Sequence, residues 1–467
     1  MTASSRGSSE QRGSGYRQKH DARVETGRGA QCADTFPIPP GPVGVLSLLG
    51  LRSFVLVWLG GLVSLAGDWV LIVGLPLVVY EMTHSTLATS TMFMAGTLPR
   101  LPLGSVAGVF VDRWDRRRTL VVTNMLMGLG LLPLLAVRSA EDLWLVYAVQ
   151  LGEACIAEFQ RPALGALLPR LVDQDKLVAA NALSSLGSES TRLVGPALGA
   201  LVVAVFGLAG VVVVDAASFV LAGALVALVT GIPRSAHSVA SSAATLAQRC
   251  LGVWRDWREG LRVVRSDRVL RVLLAFCAVT GLGEGVIMTL FVPFATTVVR
   301  GGQGAYGALL SAQAVGGLVG GLLLGRFGRG FAPRVLLGTT AVVFGLLDLL
   351  LFYAPLFVTG IGVPLALIML VGIPAAGMGV SRSTLLQTAA TDQYRGRVLG
   401  AVSATVAVAG LAGMALAGLL GDRLGIVPLL TVQGVGYVAA GLMVLLVLPT
   451  SAGARQTAAS ASAATSI

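Results

Sequence analysis

Apolar residues fall in long blocks along this chain, broken by short polar connections. A helix needs about 20 mostly apolar residues to cross the hydrocarbon core of a bilayer. On that template twelve spans are predicted: 53–80, 88–111, 119–138, 142–160, 184–206, 210–230, 270–298, 305–325, 335–353, 360–380, 398–420 and 427–449. Only "GLAG" (207–210) divides the fifth from the sixth. The longest connection, 231–269, separates six spans from six. The pattern predicts an all-α polytopic membrane protein, twelve transmembrane helices in two six-helix bundles. The predicted domains are a disordered cytoplasmic tail at 1–45, an N-terminal bundle at 46–230, a linker at 231–269, a C-terminal bundle at 270–450 and a second tail at 451–467. The first apolar run begins too late for a secretory signal peptide.

Composition agrees. The chain is 55% hydrophobic and 12% charged, whereas soluble domains carry about 25% charge. So few charges cannot cover a water-facing surface. The net charge of +11 reflects the excess of Lys and Arg on the cytoplasmic side of membrane proteins rather than nucleic-acid binding. On the predicted inner side lie Arg113, Arg116, Arg117, Arg118, Arg161, Arg170, Lys176, the run from Arg234 to Arg271, Arg326, Arg329, Arg334, Arg382, Arg395 and Arg397. The other side has Arg138, Arg300 and Arg423. Both termini are therefore predicted cytoplasmic. Sixty glycines suit close helix contacts in a membrane.

Catalytic chemistry has no foothold. Cys32, Cys155, Cys250 and Cys277 form no CxxC pair, and His20, His84 and His237 are scattered. No metal site, cofactor or nucleophile set is expected, so the chain is not read as an enzyme. There is no GxxxxGK[ST] phosphate loop, which disfavours an ATP-driven pump.

Ionisable residues inside a membrane are costly and default to functional candidates. Asp68 and Arg100 fall at similar depth in antiparallel spans, roughly 20 Å from the outer boundary at 1.5 Å per residue, so an ion pair between them is expected. Glu153 lies deep in span four. Glu158 lies near its inner edge, within reach of Arg161. Glu189 and Arg192 are three apart and share a helix face. Glu284, in "VTGLGEGVIM", has no positive neighbour on its own helix, and burial penalises the charged form of such a carboxyl. Asp68, Glu284 and Glu153 are the proton-coupling candidates. Asp215 is expected to be no more than a cap, and Asp348 has no evident partner. Trp69, Met92, Met94, Met288 and Phe291 are candidates for lining a substrate cavity between the bundles, since methionine and aromatic side chains give adaptable apolar surface.

Within the linker, Leu251, Trp254, Trp257, Leu261 and Val264 recur at helical spacing, with Arg255, Arg258, Arg262 and Arg265 elsewhere. That pattern predicts a basic amphipathic helix on the inner membrane surface. The halves also echo each other: "GVFVDRWDR" (108–116) aligns with "GLLLGRFGR" (321–329), as expected of a two-bundle transporter.

These motifs resemble the major facilitator superfamily, most closely its drug and macrolide efflux and siderophore exporter branch, over about residues 50–450. Gly108, Asp112, Arg113, Arg116, Arg117 and Arg118 match the family's charged turn after span two. The resemblance implies that this turn latches the halves together on the cytoplasmic side in the outward-facing state. The second copy has Gly325 in place of Asp112, so such a latch rests on the first copy. "LVGPALGA" (193–200), with Gly195, Pro196 and Gly199, resembles the helix-five motif of exporters; "GDW" (67–69) and "YRGRVLG" (394–400) also look like this branch. The resemblance implies a proton antiporter that exports amphipathic small molecules, such as drugs or antibiotics, across a bacterial cytoplasmic membrane. Its expected partners are that substrate, protons and membrane lipids, and its expected unit is a monomer. A dedicated siderophore or natural-product exporter and a non-transporting membrane sensor or scaffold are the alternatives.

Overall fold

The computed structural model describes residues 45–104, 106–111, 114–230, 258–390 and 394–448. All of the regular structure there is helical: α1 (Val45–Leu49), α2 (Arg52–Thr83), α3 (Thr86–Thr97), α4 (Arg100–Leu103), α5 (Val106–Val111), α6 (Arg116–Gly130), α7 (Leu143–Leu167), α8 (Leu177–Ala227), α9 (258–266), α10 (Arg268–Pro293), α11 (Gln303–Phe327), α12 (Pro333–Tyr353), α13 (Gly362–Ala389), α14 (Arg395–Leu424) and α15 (Ile426–Val447). Several begin on side chains that satisfy their first free N–H groups. Ser85 Oγ accepts from Ala88 N–H at 3.4 Å, Asp115 from Arg118 N–H at 2.8 Å, and Asp267 from Leu270 N–H at 2.9 Å.

Among the described residues, nine helical stretches are long and apolar enough to cross a membrane: α2, α6 with its 3-10 extension, α8 and α10–α15. The chain is thus an all-α polytopic membrane protein. Three features separate the twelve predicted spans from these nine stretches. The segment 88–111 is broken into α3, α4 and α5, because Pro99 and Pro102 interrupt the hydrogen-bond ladder. The segment 142–160 is one helix, α7, but Gln150, Glu153, Glu158, Gln160 and Arg161 make it more polar than its neighbours. The predicted fifth and sixth spans are continuous as α8, apart from non-helical backbone at Gly207 (φ 61°, ψ −157°).

That one residue turns α8 into a hairpin. Gly187, Gly195 and Gly199 of its first arm meet Leu62, Trp69 and Val73 in ascending order along α2. On the second arm the order is reversed: Val211, Asp215 and Ala222 meet Gly74, Gly67 and Gly60. The first arm therefore runs parallel to α2 and the second antiparallel. A positive φ at this turn favours glycine, as the "GLAG" break anticipates.

The ends of the helices differ in charge. Arg52, Arg116, Arg117, Arg170, Lys176, Arg268, Arg326, Arg334, Arg395 and Arg397 lie at one end, called here the basic end. At the opposite, distal end, one apolar cluster joins the helices before Gly207 to those after Arg268. Val73, Leu77 and Val203 pack there with Leu290, Phe294 and Leu309. At the basic end, the apolar clusters stay within one set of helices, such as Val57–Leu120–Val226 and Val264–Leu270–Val398.

The described part of the predicted linker helix, α9, packs against α14. A Cβ on Gly260 would lie 2.5 Å from Arg397 O, Glu259 pairs with Arg397 at 2.8 Å, and Val264 is buried. Arg262 and Arg265 are exposed. Leu251, Trp254, Arg255 and Trp257 lie outside the described residues, as do the tails at 1–44 and 449–467.

Candidate functional site

Carboxyl groups gather inside both sets of helices. In the first set, α2 brings Gly67 and Asp68 against the second arm of α8. A Cβ on Gly67 would lie 2.1 Å from Ser218 Oγ and 2.5 Å from Asp215 Oδ1, so glycine is required for this approach. Asp215 is fully buried. Its Oδ1 accepts from Ser218 Oγ at 3.2 Å, and its Oδ2 has no partner among the described residues. Asp68 lies within electrostatic reach of Asp215 and of the Arg161 guanidinium. Glu153 of α7 is buried, faces the same two acids, and walls a cavity of about 230 Å³ with Gly130, Val149 and Ile156.

In the second set, Glu284 of α10 accepts a hydrogen bond from the Tyr437 hydroxyl of α15. It walls a cavity of about 250 Å³ with Phe276, Thr280, Met378, Arg382 and Tyr437. Asp348 of α12 is 1% exposed and lies within electrostatic reach of Glu284 and Tyr437. Its Oδ2 has no partner among the described residues, and neither does Gln433 Oε1, which is also buried.

Several expectations change. Glu284 is neither buried nor alone. Gly283 packs on Gln433 and Gly285 on Gly410, so two faces of α10 are closed and the Glu284 direction is left exposed. Asp68 and Arg100 form no ion pair. Arg100 is exposed just after the break in the second span, and Asp68 faces α8 and Arg161 instead. Asp215 is not a terminal cap; it is the inner member of the first cluster. Met92 and Phe291 are packed into apolar clusters. Met94 is partly buried, with Ser90 Oγ 3.7 Å from its sulfur. Met288 is 46% exposed, one turn beyond Glu284. Trp69 packs on Gly195. Glu158 pairs with Arg161 at 3.0 Å, and Glu189 lies 3.8 Å from Arg192 on the exposed surface.

Of the charged turn, Gly108 has open space around it, and Asp112 and Arg113 lie outside the described residues. Arg118 is exposed, and Arg116 Nε and Nη1 are buried without a partner among the described residues. Arg117 donates from Nη2 to Ala227 O and from Nε to Val226 O at 3.3 Å. A cation there meets the carbonyls at the C-terminal end of α8. Arg334 does the same in the second set, donating to Leu445 O near the end of α15. The two contacts span 110 and 111 residues, so the halves repeat one tertiary contact.

The helix-five motif sits at a three-way contact. Gly195 and Gly199 face α2, while Pro196 O and Ala200 Cβ lie 2.3 and 2.6 Å from where a Cβ on Gly307 of α11 would be. One face of the motif binds its own set, and the other lies on the seam with the second set. Among the described residues, no group of three or more His, Cys, Asp or Glu side chains converges as a metal site would.

Comparison with known proteins follows the same lines. The model of a major facilitator family described as "Transmembrane secretion effector" matches residues 44–465. Macrolide efflux protein A of Streptococcus pyogenes is 27% identical over 376 residues, covering 80% of this chain and 90% of that one. The multidrug efflux pump Tap of Mycolicibacterium fortuitum is 28% identical over 382 residues, covering 79% and 90%. Among solved structures, the nucleoside transporter NupG superposes with a TM-score of 0.69 at 11% identity, over 85% of this chain and all of that one. That last likeness is one of fold.

Proposed function

Since the chain belongs to the transmembrane secretion effector family of the major facilitator superfamily, and so is a secondary membrane transporter, we propose that it exports amphipathic small molecules by antiport with protons. In this reading twelve spans form two six-helix bundles, 46–230 and 270–450, joined by the linker at 231–269. The α8 hairpin supplies two of the spans, and α7 and the broken α3–α5 segment complete the first bundle. The basic end, with both termini, faces the cytoplasm, in keeping with the excess of Lys and Arg there. The bundles rock about a central site.

The observation that carries this reading is the position of the helix-five motif. Gly195, Pro196 and Gly199 lie where α2, α8 and α11 meet. Glycine contacts of this kind let two helices shift without large side chains being displaced. The carboxyls of both sets supply groups whose charge can be exchanged for a proton. Asp68 and Glu153 of the first bundle are assigned to coupling. Glu284 and Met288, one turn apart on the exposed face of α10, are assigned to the substrate cavity. The names of the two efflux relatives, a macrolide efflux protein and a multidrug efflux pump, support a drug-like substrate.

The test is dye accumulation in energised inverted vesicles of a bacterial inner membrane containing the protein. Accumulation that an uncoupler abolishes is expected. Accumulation that persists when the proton gradient is collapsed would overturn antiport.

A further inference from the structure

The distal end of the seam is held by more than apolar contact. Asp422, in the last turn of α14, accepts from the Thr86 N–H at 3.0 and 3.3 Å, and from Ser85 Oγ at 3.3 Å. Thr86 Oγ1 donates to Gly418 O at 3.2 Å, and Ser90 Oγ donates to Met414 O at 2.7 Å. On α14, residues 414, 418 and 422 recur every four positions and form one face. Thr86 and Ser90 do the same on α3. Two helices from opposite sides of the seam are therefore stitched along a single edge.

Asp422 is badly placed for its own helix. A carboxylate in a last turn faces the negative end of the macrodipole, which costs stability. It is well placed for α3, whose first N–H groups have no partner within their helix and whose positive end favours an anion. α3 is thus capped twice, at Ala88 N–H by its own Ser85 and at Thr86 N–H by Asp422 of the other set of helices. Backbone contact allows this: a Cβ on Gly418 would lie 2.5 Å from Ser90 Cβ, and one on Gly421 would lie 2.5 Å from Thr86 Oγ1. Each stitch is a hydrogen bond that water can replace once the end opens, so the contact is reversible. Arg117 and Arg334, in contrast, bind carbonyls within their own set.

We propose that Asp422 is the positioning residue of a distal latch, capping α3 across the seam, and that this cap must be released for the distal end to open. The inference rests on the transport reading for its purpose, but its test does not require a substrate. Spin labels on Leu87 and Leu419, both exposed at this end, in an otherwise cysteine-free full-length protein reconstituted in lipid nanodiscs, report the distance between α3 and α14. Loss of an N-cap side chain shifts an equilibrium by about two- to thirty-fold. Asp422→Ala is expected to raise the population of the longer distance by that factor. Asp422→Asn, which still caps, is expected to raise it much less. Gly418→Leu, a steric wedge, is expected to open the same gap by an independent route. Should Asp422→Ala lose its helical circular dichroism, Ser90→Ala provides the second polar test. Distances unchanged in both the cap and the wedge variants would overturn the latch. Equal opening by Asp422→Asn and Asp422→Ala would overturn the capping role. Failure of dye transport in wild-type vesicles, with these distance shifts intact, would refute the export reading and leave the latch standing.

Discussion

Asp68 and Glu284 occupy equivalent stations in the two sets of helices, on α2 and α10, and each follows a glycine that packs on a partner helix. Their surroundings differ. Asp68 is part-buried, within electrostatic reach of Asp215, Glu153 and Arg161. Glu284 is exposed, held by the Tyr437 hydroxyl, with Arg382 on the wall of its cavity. One station gathers three acids, of which Asp215 and Glu153 are buried; at the other the acid is itself exposed, with a hydroxyl, a cation and the buried Asp348 near it. The difference argues for a division of labour. A group of largely buried acids suits proton exchange, and an exposed acid beside apolar side chains suits contact with substrate.

The sharpest way to break this comparison is to neutralise each acid in turn. Asp68→Asn is expected to lower uncoupler-sensitive dye accumulation on the order of tenfold or more. Glu284→Gln is expected to change which dyes are moved, and their apparent affinity, while leaving uncoupler sensitivity in place. Equal loss of coupling in both variants would merge the two roles. Next in size is the glycine before each acid. Gly67→Ala drives a Cβ into Ser218 and Asp215, and a clash of this kind costs about 1–3 kcal/mol. Gly283→Ala meets Gln433 Cγ at 3.0 Å, a flexible side chain, so its effect on thermal unfolding in detergent is expected to be smaller.

Tyr437→Phe removes the hydrogen bond to Glu284. A loss of about 1 kcal/mol in stability is expected, with a change in dye preference in the same direction as Glu284→Gln. Arg117→Ala and Arg334→Ala test the repeat itself. Each strips a cation from the end of its partner helix, and each is expected to cost about 1 kcal/mol. A large inequality between them would show that the contact matters in one set alone.

The smallest effect is expected at the distal turn before α7, outside the spans. Hydrogen bonds from the Arg138 and Ser139 N–H groups and the Ser139 hydroxyl hold the Asp142 carboxyl below its ordinary range. A carboxyl lowered in the folded state stabilises the fold above its unfolded pKa and loses that contribution as pH falls through the lowered value. Protection of the amides at residues 138 and 139, measured against their intrinsic exchange rates, should therefore fall as the pH drops in wild type, and should depend less on pH in Asp142→Ala.

Much of the fold was legible as hydropathy. The predicted span 53–80 lies within α2, and the break at "GLAG" falls at the Gly207 turn. The break inside 88–111 was also signalled, by Pro99 and Pro102, but hydropathy alone averages over such a stop. The site was less legible. Asp68, Glu153 and Glu284 stand out as acids in apolar runs, whereas their partners depend on how each helix is rotated, which span length does not determine. Asp215 was discounted by its position near a predicted helix end, and Tyr437 carried no charge to mark it. One signal was available: Gly67–Asp68 and Gly283–Glu284 repeat a glycine–acid pair at matching points of the two halves. Arg117 and Arg334 repeat in the same manner, each reaching the last span of its half.

The central claim is exchange of a proton for a substrate. Its most direct measurement uses purified protein in liposomes with an acidic interior and a trapped pH indicator. Addition of an amphipathic cationic dye outside should alkalinise the interior as dye enters and protons leave, in wild type and not in Asp68→Asn. Dye entry with no change in internal pH would contradict the account.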